Sequence, residues 1–357
     1  MPDVQRATDL ITLDGSLGEG GGQILRTAAS LSAVTGRPVR VANVRANRKN
    51  PGLRPQHRAA LLAAARVCGG VVKGDAVGST DVAFYPGDPD AIAGGKFRFD
   101  VGTAGSAGLV CQTLLPILLR AKGPSQVTVV GGTHNPMAPP AHFLRHAFQR
   151  ALQRMGHDVG FDLARPGFYP AGGGELVMHV TPTPAEKLQE LDWTDRGRMT
   201  SLRCEILSAH LPDHVAAREM RTLRTFLKNA GWPLPGVTIR DCYDAAGPGN
   251  AVCVRAIYDN AEEVFTAVGE RGRRAEDVAR AAAEATVKWL TSGVPVGPHL
   301  ADQLLLPMAL AKGGRFVTTG PLDAHVPTNA EVIASVLGAA TRFADHGDRV
   351  VVEVTPP

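Results

Sequence analysis

The sequence predicts an α/β protein of the α+β type, with a main domain of three or more repeated βαβαβ-type units and a smaller inserted α+β domain. Two observations predict this fold. Glycines that end predicted helices recur at a fixed distance along the chain, and one internal stretch differs in charge from both of its flanks. A repeat of this kind decides the architecture, because each copy forms one supersecondary unit.

The first unit alternates strands and helices, and glycines mark where each helix ends. An apolar run and a glycine-rich turn precede a helix rich in Ala and Leu, and a proline-containing loop precedes a second helix. The predicted elements are a strand over 10–13, a helix from Gln23 to Gly36, a strand over 38–44, a helix from His57 to Gly69 and a closing strand over 82–85.

The second unit follows at a constant offset. Gly36 and Gly123 are 87 residues apart, and so are Gly69 and Gly156. A third copy is recognisable near the C-terminus. The predicted elements of these two units are a helix ending at Gly123, strand 127–130, helix 142–155 and strand 176–180, then a helix ending at Gly313, strand 315–318, a helix from about Asn329 to Leu337 and strand 350–354.

The stretch between the second and third units has balanced charge. Residues 195–294 hold 13 acidic and 14 basic side chains, whereas the flanking units are basic. The predicted elements are strands over 202–207, 237–240 and 251–257 and helices over 214–229 and 275–290. We therefore expect a discontinuous main domain, 1–194 plus 295–357, interrupted by an inserted α+β domain, 195–294.

Composition excludes several protein classes. With 44% apolar and 20% charged residues, no run reaches the roughly 18 apolar residues that span a bilayer. The first residues lack a secretory pattern, so the cytoplasm is the expected location. The five cysteines form an odd set without CxxC spacing, which argues against a zinc site or disulfides and for reduced core residues. His142 and His146 are expected to be a surface pair, because no third metal ligand is near in sequence.

The charge distribution indicates a polyanionic partner. The net charge is only +4, but residues 20–74 contain ten Lys and Arg and no Asp or Glu, and residues 101–157 are again free of acids. Uncompensated cations create a field that phosphates neutralise. A solvated basic face is the alternative, and two acid-free stretches in one chain make it less favoured.

A glycine-rich loop, from Asp14 to Gln23, follows a strand and opens a helix, where backbone N–H groups can bind an anion. The loop is not a dinucleotide fingerprint, because Gln23 stands where a third glycine is needed, and no Walker A sequence is present. Glu19 could hold Mg²⁺ against phosphates or could simply be a first-turn acid stabilised by the helix dipole. Spacing alone leaves both open.

Two further segments could carry chemistry. The loop from Arg45 to His57 combines arginines, amides and a histidine, and a guanidinium binds phosphate through two parallel hydrogen bonds. It is the best candidate for the terminal phosphate of a substrate. His325 is expected on a turn just before the last predicted helix, where it could accept a phosphoryl or nucleotidyl group as a nucleophile. The sequence pattern alone leaves open that His325 is an ordinary turn residue.

These residues together resemble the RNA 3'-terminal phosphate cyclase family. The resemblance rests on 13–15, 18–26, 45–57, 131–133, 138–140, 167–174, 300–303 and 307–311. It implies conversion of an RNA 3'-phosphate to a 2',3'-cyclic phosphate, using ATP and a divalent metal, Mg or Mn, and releasing AMP and diphosphate. It also implies repeated units similar to the C-terminal domain of a translation initiation factor and an insert similar to a thioredoxin-like fold. The implied partner is RNA with a 3'-terminal phosphate, and the oligomeric state stays open, with a homodimer possible.

The resemblance also implies roles for individual residues. His325, in the context His-x-x-Thr-Asn, would be the nucleophile that forms a histidine–AMP intermediate. Some relatives are expected to carry tyrosine at the position of His299, which bears only on affinity for the base. The remaining implied roles are metal binding by Glu19; RNA phosphate binding by Arg26, Arg45, Arg48, Gln56 and His57; and nucleotide binding by Gln112, Pro140, Phe143, His299, Leu300, Ala301, Asp302 and Gln303.

Two other functions compete with this one. Cyclase-like proteins of ribosome assembly resemble the fold but lack the nucleophilic histidine, and His325 in its Thr-Asn context argues against them. An enolpyruvyl transferase also repeats similar α/β units, but neither a covalent histidine nor an insert as large as 195–294 is expected there.

Overall fold

The protein is a mixed α/β molecule with four four-stranded sheets, seen in a computed structural model that describes residues 10–18 and 21–357. The strands are β1 (Ile11–Asp14), β2 (Val39–Ala42), β3 (Val71–Lys73), β4 (Val82–Tyr85), β5 (Gly95–Asp100), β6 (Ser125–Gly131), β7 (Asp158–Arg165), β8 (Gly174–Thr181), β9 (Leu191–Trp193), β10 (Met199–Ala209), β11 (Gly236–Asp241), β12 (Gly249–Tyr258), β13 (Glu262–Val268), β14 (Gly314–Thr319), β15 (Ala340–Asp345) and β16 (Arg349–Thr355).

The helices lie between these strands and cover the sheets. A π-helical segment, Leu144–Phe148, joins two of them. The α-helices are α1 (Gly22–Thr35), α2 (Pro55–Cys68), α3 (Ala107–Leu118), α4 (Ala141–Phe143), α5 (Gln149–Arg154), α6 (Asp213–Asn229), α7 (Ala275–Ser292), α8 (Pro298–Leu310) and α9 (His325–Leu337).

Three of the sheets have the same strand order. Their orders are β1-β2-β4-β3, β5-β6-β8-β7 and β9-β14-β16-β15. In each, the first two strands are parallel and the other two pairings are antiparallel. A parallel pair needs a crossover, and a helix supplies it in the first two sheets. In the third sheet, the crossover contains the whole of residues 195–294.

The fourth sheet lies within that crossover. Its order is β11-β10-β12-β13, with β10 and β11 parallel and the other pairs antiparallel. Helices α6 and α7 pack on one another, and α7 packs on β12 and β13. Buried Trp289 on α7 makes an edge contact with Tyr258 on β12, with ring centroids 5.5 Å apart. The crossover thus has a sheet and two helices of its own.

Helix α1 lies at the centre of the repeated part and packs on α2, α3 and α9. Nearly all of its side chains are buried, including Ile24, Leu25 and Leu31. Gly36 ends the helix at φ 72°, a left-handed conformation that glycine adopts without steric cost. Since α9 begins at His325, this packing brings the start of α9 toward the start of α1.

Most predicted elements are present, but some boundaries were wrong. Helix α3 ends at Leu118 and not at Gly123, because Arg120 and Ala121 form i→i−3 hydrogen bonds that tighten the chain into a turn. Helix α8 likewise ends at Leu310, before Gly313. Helix α9 begins at His325, four residues earlier than predicted, so His325 is the first helical residue rather than part of a preceding turn. Six strands were not predicted: β3, β5, β7, β9, β13 and β15.

All five cysteines are buried and free, as predicted. The prediction of a surface pair of histidines is wrong for His142, which is buried and whose ring contacts Glu205 on β10. Within residues 10–18 and 21–357, no helix combines the length and apolarity required to cross a membrane.

Candidate active site

The site is built where the starts of α1 and α9 meet α8. His325 Nδ1 lies 2.9 Å from Gln23 Oε1, and Gln23 Nε2 donates to Asp302 Oδ1 at 2.5 Å. Gln23 and Asp302 are buried, whereas His325 is partly exposed. Three residues from distant parts of the chain therefore form one connected row.

This row selects one tautomer of His325. A carboxylate only accepts hydrogen bonds, so the amide nitrogen of Gln23 must face Asp302 and its oxygen must face the imidazole. An amide oxygen also only accepts, so Nδ1 of His325 carries the proton. Nε2 is then the ring nitrogen that holds a lone pair, which is the form a nucleophile requires.

Asn329 holds the row in place from one helical turn beyond His325. Its Nδ2 donates to Asp302 Oδ1 at 3.1 Å and to the Asp302 carbonyl at 3.2 Å. Its own Oδ1 accepts from Thr27 Oγ1 of α1 at 2.8 Å. Residues four apart lie on the same helix face, so His325 and Asn329 both point toward α1.

The buried carboxylate of Asp302 is balanced by nearby donors and cations. Burial raises its pKa, while Gln23, the nearby His325 and the Arg26 guanidinium act in the opposite direction. Burial lowers the pKa of Arg26 to about 10, which still leaves the guanidinium protonated near pH 7. Arg26 therefore brings a positive charge to the floor of the site.

Cations surround the start of α1. Burial lowers the pKa of Arg45, and the nearby charges of Arg48 and Arg54 lower it further. Burial together with Arg26, Arg45 and Arg54 lowers the pKa of His57 to about 3, so this imidazole is neutral near pH 7. Mutual repulsion of this kind favours binding of an anion, because an anion relieves it.

Two glycines allow these groups to approach the helix. An added Cβ at Gly22 would lie 2.0 Å from His57 Nε2, so no side chain fits there. A Cβ at Gly21 would lie 3.4 Å from Arg48 Nη2 and 3.7 Å from His325 Cε1. Gly21, next to the start of α1, thus lies between Arg48 of the arginine loop and the candidate nucleophile His325.

An open cleft of about 500 Å³ adjoins this point, a volume that includes its solvent-filled mouth. Gln112 Nε2 of α3 donates to Gln303 Oε1 across it. The residues that line the cleft are Gln23, Arg26, Thr27, Ser30, Gln112, Thr113, Leu115, Pro116, Phe148, Asp302, Gln303, Leu306, Pro307 and Asn329.

The structure brings some of the predicted nucleotide-binding residues together and not others. Gln112, Asp302 and Gln303 share the cleft with Arg26. The side chains of Leu300, Ala301 and Phe143 pack in the hydrophobic core. Pro140 precedes α4, and His299 is exposed in the first turn of α8. Contact of these five residues with a nucleotide stays a prediction.

The predicted phosphate-binding residues lie close together around α1 and α2. Gln56 Oε1 accepts from the Ser106 amide at 3.4 Å, which joins the arginine loop to the start of α3. Arg45 has a left-handed backbone with φ 55°, and its Nη2 donates to the Asn50 carbonyl at 3.4 Å, so the loop curls back on itself. Glu19, the predicted metal ligand, lies outside the described residues.

Sequence reasoning assigned no role to Gln23 or Asn329. Gln23 was only the residue that broke the dinucleotide pattern, yet it touches both His325 and Asp302. The i, i+4 spacing of His325 and Asn329 was the available signal for the second residue.

Comparison with known proteins decides the family. The family described as RNA 3'-terminal phosphate cyclase matches residues 17–343. The chain belongs to this family. An RNA 3'-terminal phosphate cyclase from Pseudomonas fluorescens is 47% identical over 92% of this chain and 93% of its own length. Cyclases of the same name from Ralstonia nicotianae and Ectopseudomonas mendocina are 47% and 44% identical, each over 96% of this chain and 96% and 97% of their own.

The prediction that this chain is a cyclase of this family is therefore confirmed, and the non-catalytic alternative is not favoured. A solved enolpyruvyl transferase, NikO from Streptomyces tendae, aligns with 96% of this chain and 47% of its own at 13% identity and a TM-score of 0.35. So weak a likeness carries no argument about the fold or the activity of the cyclase.

Proposed function

We propose that this cyclase converts an RNA 3'-terminal phosphate to a 2',3'-cyclic phosphate, using ATP and a covalent AMP adduct of His325. The observation that carries the proposal is the row from Asp302 through Gln23 to His325, which places the proton on Nδ1. A neutral imidazole oriented by a hydrogen-bonded partner is a good nucleophile near pH 7.

The proposed reaction has three displacements at phosphorus. His325 Nε2 attacks the α-phosphorus of ATP and diphosphate leaves. An oxygen of the RNA 3'-phosphate then attacks the same phosphorus, so that AMP passes to the RNA and the imidazole is regenerated. Finally the neighbouring 2'-OH attacks the activated 3'-phosphorus and AMP leaves, a step helped by proximity because both groups belong to one ribose.

The cations around α1 are proposed to bind the phosphates of both substrates. Arg45 and Arg48 lie on the loop that reaches Gly21, beside His325, and fit the RNA 3'-phosphate. Arg26 lies deeper, in the cleft with Gln112 and Gln303, and fits the nucleotide. The repulsion that lowers the pKa of Arg45 would be relieved by a bound phosphate dianion.

A divalent cation, Mg²⁺ or Mn²⁺, stays part of the proposal on the strength of the resemblance and of Glu19. Such a cation would neutralise charge on the polyphosphate. Cytoplasmic location also stays a prediction.

The finer description of the fold is likewise proposed. The shared strand order of three sheets supports units similar to the C-terminal domain of a translation initiation factor. The parallel β10–β11 pair joined by α6 and the antiparallel β12–β13 pair followed by α7 support a thioredoxin-like insert. Pairing of β9 with β14 across the crossover supports a main domain of 1–194 plus 295–357 and an inserted domain of 195–294.

The direct test is transfer of label from ATP to the protein. Incubation with α-phosphate-labelled ATP and Mg²⁺ without RNA, followed by denaturing electrophoresis, should yield an acid-labile, alkali-stable label on the wild-type chain. His325→Ala should remove it. The matched control is His346→Ala, an exposed histidine next to β15, which should label normally. Equal labelling of His325→Ala and the wild type would show that another residue is the nucleophile.

A further inference from the structure

A second cluster of reactive side chains lies outside the active site, where residues 195–294 meet the rest of the chain. His134 follows β6, His142 lies in α4 and Cys253 lies in β12. One nitrogen of each histidine and the cysteine Sγ are within 4.8 Å of one another. All three residues are buried, with His134 0%, Cys253 2% and His142 8% exposed.

The outer nitrogens of both imidazoles already have oxygen partners. Thr133 Oγ1 lies 2.9 Å from His134 Nδ1, and Glu205 Oε2 lies 3.1 Å from His142 Nε2. The inner nitrogens, His134 Nε2 and His142 Nδ1, face each other at 2.9 Å. Oxygen partners on the outer nitrogen are the arrangement that orients histidine ligands toward a metal.

We propose that His134 Nε2, His142 Nδ1 and Cys253 Sγ bind one structural Zn²⁺, which fastens the inserted segment to the repeated part. Two nitrogens and one sulfur are a donor set that zinc prefers. Binding forms two Zn–N bonds and one Zn–S bond, and both the thiol proton and the proton shared between His134 Nε2 and His142 Nδ1 are released to solvent. The fourth position of a tetrahedral site would be taken by a water molecule.

The two facing nitrogens need little adjustment to accept the ion. Two nitrogens bound tetrahedrally to zinc at about 2.05 Å each lie about 3.3 Å apart, so the facing nitrogens have to separate by a few tenths of an ångström. Glu205 would keep its place as acceptor of the outer N–H of His142. Cysteine spacing predicted no zinc site, since these ligands come from positions 134, 142 and 253 without any short-range spacing.

A metal bound here would act on a contact between two parts of the chain. Glu205 and Cys253 belong to β10 and β12 of the fourth sheet, while both histidines belong to the second repeated unit. Phe168, next to His134 with ring centroids 5.8 Å apart, also packs into a cluster with Leu207 and Cys253. The metal–ligand bonds would therefore strengthen an interface that otherwise depends on side-chain packing and hydrogen bonds.

The test is the metal content of the full-length protein, purified without chelator and measured by elemental mass spectrometry. The wild type should contain one zinc per chain, and Cys253→Ser and His134→Gln should lose at least nine-tenths of it. Cys204→Ser is the matched control, because Cys204 is an equally buried thiol on the neighbouring strand; it should keep its zinc. Retention of zinc by Cys253→Ser, or copper in place of zinc, would overturn the assignment.

A spectroscopic measurement on the wild type alone covers the case in which the variants fail to fold. After removal of zinc, titration of the full chain with Co²⁺ should produce the visible bands of a tetrahedral site and a thiolate-to-cobalt charge-transfer band. Glu205→Gln should weaken binding by about 10- to 100-fold. A wild-type chain that contains no zinc and gives no thiolate band with Co²⁺ would show that the cluster is a hydrogen-bonded row only.

Discussion

Gln23 and His325 are 302 positions apart in the chain, yet Gln23 Oε1 lies 2.9 Å from His325 Nδ1. The contact joins the second residue of α1 to the first residue of α9. Because Asp302 fixes which end of the Gln23 amide faces the imidazole, the pair sets the proton of His325 on Nδ1. The proposed nucleophile therefore depends on a residue that itself does no chemistry.

Replacing Gln23 should slow adduct formation more than it weakens ATP binding. In Gln23→Ala the imidazole of His325 loses the hydrogen bond from its Nδ1 to the Gln23 amide oxygen. A hydrogen bond to a group that becomes charged is worth about 1.5 to 3 kcal/mol, so we expect the rate of adduct formation to fall roughly 10- to 100-fold. Label transfer measured over a range of ATP concentrations should show a lower maximal rate, while the ATP concentration that gives half of that rate stays nearly unchanged. Gln126→Ala, on β6, is the control. A rise in that ATP concentration with an unchanged maximal rate would show that Gln23 binds ATP instead.

Arg45 and Arg48 should matter more for RNA than for ATP. A charge-assisted bond contributes about 1.5 to 3 kcal/mol, so Arg45→Ala and Arg48→Ala should each reduce cyclisation of 3'-phosphorylated RNA roughly 10- to 100-fold. Formation of the AMP adduct uses ATP alone and should change much less. The exposed neighbour Lys49 provides the control variant Lys49→Ala. Equal losses in cyclisation and in adduct formation would show that these arginines bind ATP.

Gly22 should not tolerate a side chain. In Gly22→Ala the new Cβ would meet His57 Nε2 at 2.0 Å, and forced overpacking of this kind costs about 1–3 kcal/mol in the free energy of unfolding. Adding His57→Ala should restore most of that loss, because it removes the atoms that clash. Urea denaturation measures both. The control is Gly236→Ala, where an added Cβ meets no atom within 4 Å; a loss as large in the control would refute the clash.

Glu263 should make the protein less stable as the pH rises. Burial raises the pKa of this carboxyl from 4.5 to about 8, although its Oε1 accepts from the Gly297 amide at 2.6 Å. Between these two values the folded state binds more protons than the unfolded state, so this group lowers the free energy of unfolding with rising pH, by at most about 1.4 kcal/mol per unit.

The measurement is the difference between Glu263→Gln and the wild type across pH 4.5 to 8. The amide keeps an acceptor for Gly297 and cannot ionise, so the variant should gain stability relative to the wild type as the pH rises. Glu284→Gln, on the exposed face of α7, should show no such trend. A wild-type curve parallel to that of Glu263→Gln would mean that the carboxyl does not titrate in this range.

The sequence predicted elements better than it predicted the site. Helix α1 and its end at Gly36 follow from local rules, since glycine adopts the left-handed conformation there without cost. Strand β13 escaped detection because Glu262 and Glu263 open it and are buried, against the usual preference of Glu for solvent. Local signals cannot show that a carboxylate will be covered by other elements.

The resemblance named His325, Asp302 and Gln112 without showing how they relate. Asp302 was expected to receive the nucleotide, which stays a prediction; in the structure its carboxylate accepts from Gln23, Gln303 and Asn329. That relationship depends on how α1, α8 and α9 pack, which no spacing within one helix reveals. The same reason hid Cys253, which meets His142 only because the fourth sheet folds back onto α4.

The most direct test of the account is a chase of the isolated adduct. Wild-type protein carrying labelled AMP is freed of ATP and mixed with RNA ending in a 3'-phosphate, and both the label on the protein and the phosphatase-resistant RNA ends are measured within one turnover. We expect the label to leave the protein as free AMP while an equal amount of RNA becomes cyclic. Label that stays on the protein while RNA cyclises only after fresh ATP is added would contradict it.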